Sequence, residues 1–231
     1  MHPTDKAARV AGAIYLSMVV TGPFTLIYIP STLIVRGNAS ATANNILAHE
    51  TLFRFGIVAD LMTSVIFICL VMALYRLFSS VNKTIASLMV ALVLVSAAVG
   101  FVNVLNYIAA LTLFRGADFL AVLEKPQRDA LAMLFLRLDS QGNVINEIFW
   151  GLWLLPFGLL VMRSRFLPRI LGVWLIINCV AYVALSFTGL LLPQYEHMLS
   201  NITFPAILGE MATFKSAGVS ERAATNPEEA E

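Results

Sequence analysis

Charge is what this sequence has least of. Asp, Glu, Lys and Arg make up 13% of its 231 residues, about half the share found in soluble domains. That deficit, with 59% hydrophobic residues, excludes an ordinary water-soluble domain. The formal net charge of +1 carries no message about nucleic acid or acidic partners, since placement of charge is what matters; no nucleic-acid partner is expected. Cysteine is nearly absent. Cys69 and Cys179 both sit inside apolar runs, where a thiol behaves as a small hydrophobe, so neither a disulfide framework nor a thiolate metal site is expected. There is no CxxC, no HExxH and no GxSxG, which leaves metal hydrolysis and nucleophile-elbow chemistry without a motif. His2, His49 and His197 lie in a tail or in loops with no ligand spacing. No cofactor is expected, no catalytic residue is assigned, and no internal repeat is visible.

Long apolar runs are what the chain does have. Its organising stretch is FWGLWLLPFGLLVMRSRFLPRILGVWLIINCVAYVALSF, residues 149–187. Two apolar segments flank Arg163, Arg165 and Arg169, with Pro168 opening the second. Each is near the ~20 residues that cross a hydrocarbon core about 30 Å thick. With these two taken to their full extent, the apolar runs cover residues 10–35, 53–78, 84–114, 143–162 and 168–192. The first competes with a signal peptide because Ala39-Ser40-Ala41 resembles a cleavage site. It far exceeds the roughly 7–15 residues of a signal core, so a retained helix is expected, kinked at Gly22-Pro23 and Pro30. Residues 36–52 read as a polar loop. A last run, 202–214, is short for a span, and the polar, Glu-rich residues 216–231 read as a disordered tail.

Residues 115–142 carry too many charges for a span. Pro126 suits the first turn of a helix and Gly142 its end. The apolar residues between them predict an amphipathic helix lying at the interface, between the third and fourth spans. The expected fold is therefore all-α: one polytopic membrane helix-bundle domain over residues 1–215, with about six transmembrane helices.

Orientation follows from the basic residues. With the N-terminus inside, nine of the 15 Lys and Arg fall on the inner side and six on the outer. The short inner links contain no acids, and short loops carry the rule most strongly. Both termini are thus expected in the cytoplasm.

Polar residues within spans are rare and usually face the bundle or a wet cavity. Asp60 is set about two turns into the second span. Asn103, Asn106 and Tyr107 share one face of the third by their spacing of three and four. Asn143, Glu147 and Trp150 share a face of the fourth. Arg54 is near the outer end of the second span. Asn178 and Glu210 sit nearer mid-membrane. An outward-facing polar pocket for a small molecule or a lipid headgroup would use Asp60 and Glu147 as its charges, Arg54 as counter-ion, Asn103, Asn106 and Tyr107 as its wall, and Asn178 and Glu210 as its floor. The bland reading of the asparagines is that they hydrogen-bond helices together, worth about 0.6 kcal/mol each. Trp150, Trp153 and Trp174 read as interfacial or lipid-facing aromatics. The function classes stand in the order ligand-binding membrane protein (transporter or sensor), structural or partner-binding component, and intramembrane enzyme. Partners are the bilayer and such a ligand; the oligomeric state is open.

Arg54 to Asp60, LYRLF at 74–78, the central GLWLLPFGLLVMRSRFLPRILGVWLI and FPAILGE at 204–210 together resemble the mainly bacterial membrane family catalogued as domain of unknown function 4386. The resemblance runs from Lys6 to about Glu210. It implies a six-helix integral membrane protein and carries over no activity and no site residue. Similar members continue after the Gly-Glu pair with apolar sequence, whereas here MATFKSAG turns polar, so the last helix is expected to be truncated.

Overall fold

The computed structural model describes residues 3–164, 167–192 and 194, and among these there is helix and no strand. The elements are α1 (Pro3–Pro23), a π-helical segment (Phe24–Tyr28), α2 (Ile29–Leu33), α3 (Ala39–Ala48), α4 (Glu50–Phe78), α5 (Lys83–Arg115), a 3-10 turn (Asp118–Leu120), α6 (Lys125–Leu152), α7 (Leu154–Arg163) and α8 (Arg169–Leu191). Among the described residues, five stretches are long and apolar enough to cross a membrane: Ala11–Leu33, Glu50–Phe78, Lys83–Arg115, Lys125–Arg163 and Arg169–Leu191. Large apolar side chains stay exposed along them, such as Phe55, Val58 and Met62 on α4 and Val102, Leu105 and Ile108 on α5. Continuous outward apolar faces of this kind are what a lipid solvent covers. The short run 202–214, with Glu210, and the tail 216–231 lie outside the described residues.

The first span changes register where proline requires it. Pro23 has no N–H to close an i→i−4 bond, and the π segment begins at the next residue. The buried Thr25 hydroxyl bonds the carbonyls of Thr21 at 3.3 Å and Gly22 at 3.2 Å, so the break is re-satisfied by a side chain, as an apolar environment demands.

Three local expectations are corrected. The stretch expected as a polar loop contains α3, whose N-terminus is capped by the Asn38 side chain accepting from the Ala41 N–H at 2.9 Å. Its polar composition hides a buried face, Thr42, Ala43 and Ile46. The helix expected to end at Gly142 does not: α6 starts at Lys125, with Pro126 in its first turn, and runs through Gly142 to Leu152. The stretch expected as a separate interfacial helix is therefore continuous with the apolar helix that follows it, because Gly142 serves close packing rather than termination. Trp153 is 4% exposed, not lipid-facing. It sits at the one-residue break between α6 and α7, three residues before Pro156, which cannot donate to the carbonyl of Leu152.

The chain forms two compact units. One comprises Met18–Val65 and Ala97–Asn143. Its core joins Ile29 and Leu33 of α2, Ala43 and Ile46 of α3, Phe53 of α4, Tyr107, Ala110, Leu111, Leu113 and Phe114 of α5, and Ala132 and Leu136 of α6. Phe53 and Tyr107 meet edge to face at 5.4 Å. The other comprises Met1–Ser17, Ile66–Ser96 and Val144–Glu231. There Trp153 stacks on Phe157 at 5.5 Å and meets Phe67 edge to face at 5.2 Å. Ser96 donates to Asn146 at 2.9 Å, tying α5 to α6. The α7–α8 hairpin packs through glycine: a Cβ on Gly158 would lie 2.7 Å from the Gly172 carbonyl, and one on Gly172 would lie 2.6 Å from the Gly158 carbonyl.

Candidate functional site

In the unit of Met18–Val65 and Ala97–Asn143 the polar side chains of three helices converge. The approach of α4 to α5 is set at Gly100, which faces the Ser64 hydroxyl: a Cβ there would lie 2.8 Å from Ser64 Oγ. One turn back along α4 from Ser64 is Asp60. One and two turns onward along α5 from Gly100 are Asn103 and Tyr107. The antiparallel pairing therefore turns Asp60 toward the Asn103–Tyr107 face.

The approach of α5 to α6 is set at Gly142, where a Cβ would collide with the Asn103 side chain. With that space open, the Asn103 amide donates to the backbone carbonyl of Asp139 at 2.9 Å and to its carboxylate at 3.0 Å. It also lies 3.4 Å from Asn143 Oδ1. Asn106 donates to Asn103 Oδ1 at 3.1 Å, and Asn143 donates to the second Asp139 oxygen at 3.4 Å. The Tyr107 hydroxyl donates to the same carboxylate. Asp139 is 2% exposed and Asn103 and Tyr107 are each 7% exposed, so this network is made almost out of solvent.

Asp60 is half-buried and lies within electrostatic range of both Tyr107 and Asp139. Among the described residues it accepts no hydrogen bond, and neither it nor Asp139 forms a salt bridge. The cluster is thus two carboxylates, amide groups and a phenol, with no cation of its own. A shallow concavity of about 370 Å³ on α5, bounded by Ala98, Val99 and Val102, reaches Asn103 and Asn106.

The other expected site residues go elsewhere. Arg54 is not the counter-ion of Asp60. Six helical positions separate them by about 240°, whereas Glu50, at i−4, shares Arg54's face and binds its Nε at 2.7 Å. Glu147 and Asn178 belong to the second unit, Glu147 half-buried and Asn178 fully buried, each with interactions of its own. Glu210 lies outside the described residues. The second carboxylate beside Asp60 is Asp139, which the sequence reading assigned to a separate interfacial helix. The signal for it was present. Asp139, Asn143 and Glu147 continue one i, i+4 series, hidden only by reading Gly142 as a helix end.

A second feature of the same unit lies where α4 begins and α5 ends. Glu50 is shared by two guanidiniums, Arg54 at 2.7 Å and Arg115 Nη1 at 3.6 Å. Below them a groove of about 300 Å³ runs between Ile57 and Val58 of α4 and Ile108 and Leu111 of α5.

No group of three or more His, Cys, Asp or Glu able to hold a metal occurs among the described residues. Neither the curated proteins nor the solved structures include a significant match to the chain. The profile of one family does match, over residues 10–214. These residues hold all five apolar helices and both polar features just described, and the chain belongs to the family known as domain of unknown function 4386.

Proposed function

We propose that this protein is a multi-pass protein of the bacterial inner membrane that binds a small cationic molecule, free or as a lipid headgroup amine, at the Asp60–Asp139 cluster, as a transporter or sensor does. The observation that carries this reading is a pair of carboxylates, in electrostatic range of one another, that no Lys or Arg among the described residues neutralises. One of them, Asp139, is held in place by Asn103, Asn143 and Tyr107. The other, Asp60, has hydrogen-bonding capacity to spare. Carboxylates within apolar helices cost about 2.5–3.5 kcal/mol near mid-span on insertion scales, and residues kept at such a cost commonly serve function.

The test is thermal unfolding of the purified protein in detergent with ethanolamine, choline and spermidine. At least one amine is expected to raise the Tm of the wild type. Asp60→Asn is expected to keep the fold and lose that rise. Asp60→Leu is expected to raise the Tm without ligand and to lose the rise as well. A wild type indifferent to all three, or a rise retained in both variants, counts against the site. A second reading, a structural component without ligand, is favoured by one observation: the Asn103–Asp139 bonds tie α5 to α6. On that reading Asp60→Leu leaves every cellular phenotype intact.

The proposed orientation puts the N-terminus and the link between α7 and α8 in the cytoplasm and α3 outside, so that the cluster opens outward; with the run 202–214 as a sixth crossing, the C-terminus is cytoplasmic too. It rests on the acid-free basic links. In a background with Cys69 and Cys179 changed to serine, Asn44→Cys is expected to react with an impermeant thiol reagent on intact cells and Pro168→Cys to stay unlabelled. The opposite pattern would reverse the topology.

A further inference from the structure

We infer that the groove between the start of α4 and the end of α5 is a binding site for an anionic phospholipid, its headgroup phosphate held by Arg54 and Arg115 and its upper chain lying along Ile57, Val58, Ile108 and Leu111. This site shares no residue with the Asp60–Asp139 cluster, and the inference does not depend on the cluster's function.

The charge count favours an anion. Two guanidiniums share the single carboxylate of Glu50, which leaves one positive charge at the mouth of the groove. Glu50 engages Arg54 through Nε and stands 3.6 Å from Arg115, a distance too long for a hydrogen bond. Among the described residues no hydrogen bond is made by the Nη groups of Arg54 or by any guanidinium nitrogen of Arg115. Guanidinium nitrogens present a fork suited to phosphate oxygens. Both side chains are about half exposed, 51% for Arg54 and 57% for Arg115, so an incoming phosphate need not displace protein from them.

The position favours a lipid rather than a soluble phosphate. Arg115 is the last residue of α5 and Arg54 lies in the second turn of α4. These helices, 29 and 33 residues long, rise about 44 and 50 Å, more than the roughly 30 Å of hydrocarbon. Their ends therefore reach the headgroup region. The groove runs from the arginines down between exposed apolar residues, Val58 at 54% and Ile108 at 45%, against the buried floor of Leu111. Thr112, also on the wall, spends its hydroxyl on the Ile108 carbonyl at 2.8 Å, so it presents its methyl group. A polar head at one end and an apolar trough below match the two parts of a phospholipid in the order the bilayer imposes.

The experiment is the binding of phosphatidylglycerol to the full-length protein in detergent, followed by native mass spectrometry. Phosphatidylcholine serves as the zwitterionic control, and inorganic phosphate and glycerol 3-phosphate as soluble probes. The wild type is expected to prefer phosphatidylglycerol to phosphatidylcholine and to bind neither soluble probe at comparable concentration. The double variant Arg54→Gln, Arg115→Gln is expected to bind phosphatidylglycerol roughly 10–30-fold more weakly, from about 1 kcal/mol per basic residue near an anionic surface, with phosphatidylcholine binding unchanged. Ile108→Trp keeps both charges and fills the exposed wall; it is expected to weaken phosphatidylglycerol binding as well, and it decides the matter if the double variant does not fold. Equal preference in the wild type and these variants, or glycerol 3-phosphate binding as tightly as the lipid, overturns the assignment.

Discussion

Gly172→Leu is expected to pull α8 away from α7 and to lower the stability of the detergent-solubilised protein by about 3 kcal/mol or more, the upper range for overpacking. The two helices approach until each glycine faces the other's backbone carbonyl, at 2.6–2.7 Å from where a Cβ would stand. A flexible side chain could yield to a new methyl group; a carbonyl inside a helix can yield only if the helix moves. Met162, which also borders Gly172, narrows the space further. Helices in lipid associate through van der Waals packing at small residues, so losing this contact removes the attraction itself. Gly12→Ala is the control, because nothing lies within 4 Å of that position. Equilibrium unfolding followed by tryptophan fluorescence makes the comparison. A Gly172→Leu protein as stable as Gly12→Ala would mean that α7 and α8 do not meet at these glycines.

Asp139→Leu is expected to be comparably damaging for the opposite reason, through what it leaves behind. Asn103, Asn143 and Tyr107 all donate to this carboxylate. Removing it strands donors in a setting where each unsatisfied group costs about 1–3 kcal/mol, for a total loss of about 2–4 kcal/mol. The double variant Asn103→Leu, Asp139→Leu should recover much of that, since replacing both partners by apolar groups can be nearly neutral. A double-mutant cycle measures the difference, and strictly additive effects would show that the Asn103–Asp139 contact carries no energy. Gly142→Ala should reproduce part of the Asp139→Leu loss, because its methyl group would occupy the space of the Asn103 side chain. Asp60→Leu, by contrast, is expected to stabilise. The two aspartates thus separate the part of the cluster that holds the helices from the part free to meet a ligand.

The membrane helices were legible because a hydrocarbon solvent writes a one-dimensional signal. Every polar group in a span has a cost, so apolar length alone delimits α5 as Lys83–Arg115, within a residue of the 84–114 read from composition. The face shared by Asn103, Asn106 and Tyr107 was equally local, fixed by helical spacing. Pro23 announced its break in the first span for the same reason, since a missing N–H is a property of the residue.

Which faces meet is not a local property. Asp60 could have looked toward Glu147 or Asp139 on residue type alone. The choice depends on the rotation and axial register of α4, α5 and α6, and these were decided by where one helix lets another come close. Gly100 admits Ser64 and Gly142 admits Asn103. In sequence, a glycine that ends a helix and a glycine that receives a neighbour look the same. Only the packed structure distinguishes them, because the atom that needs the missing Cβ's space belongs to a residue 39 positions away in the chain.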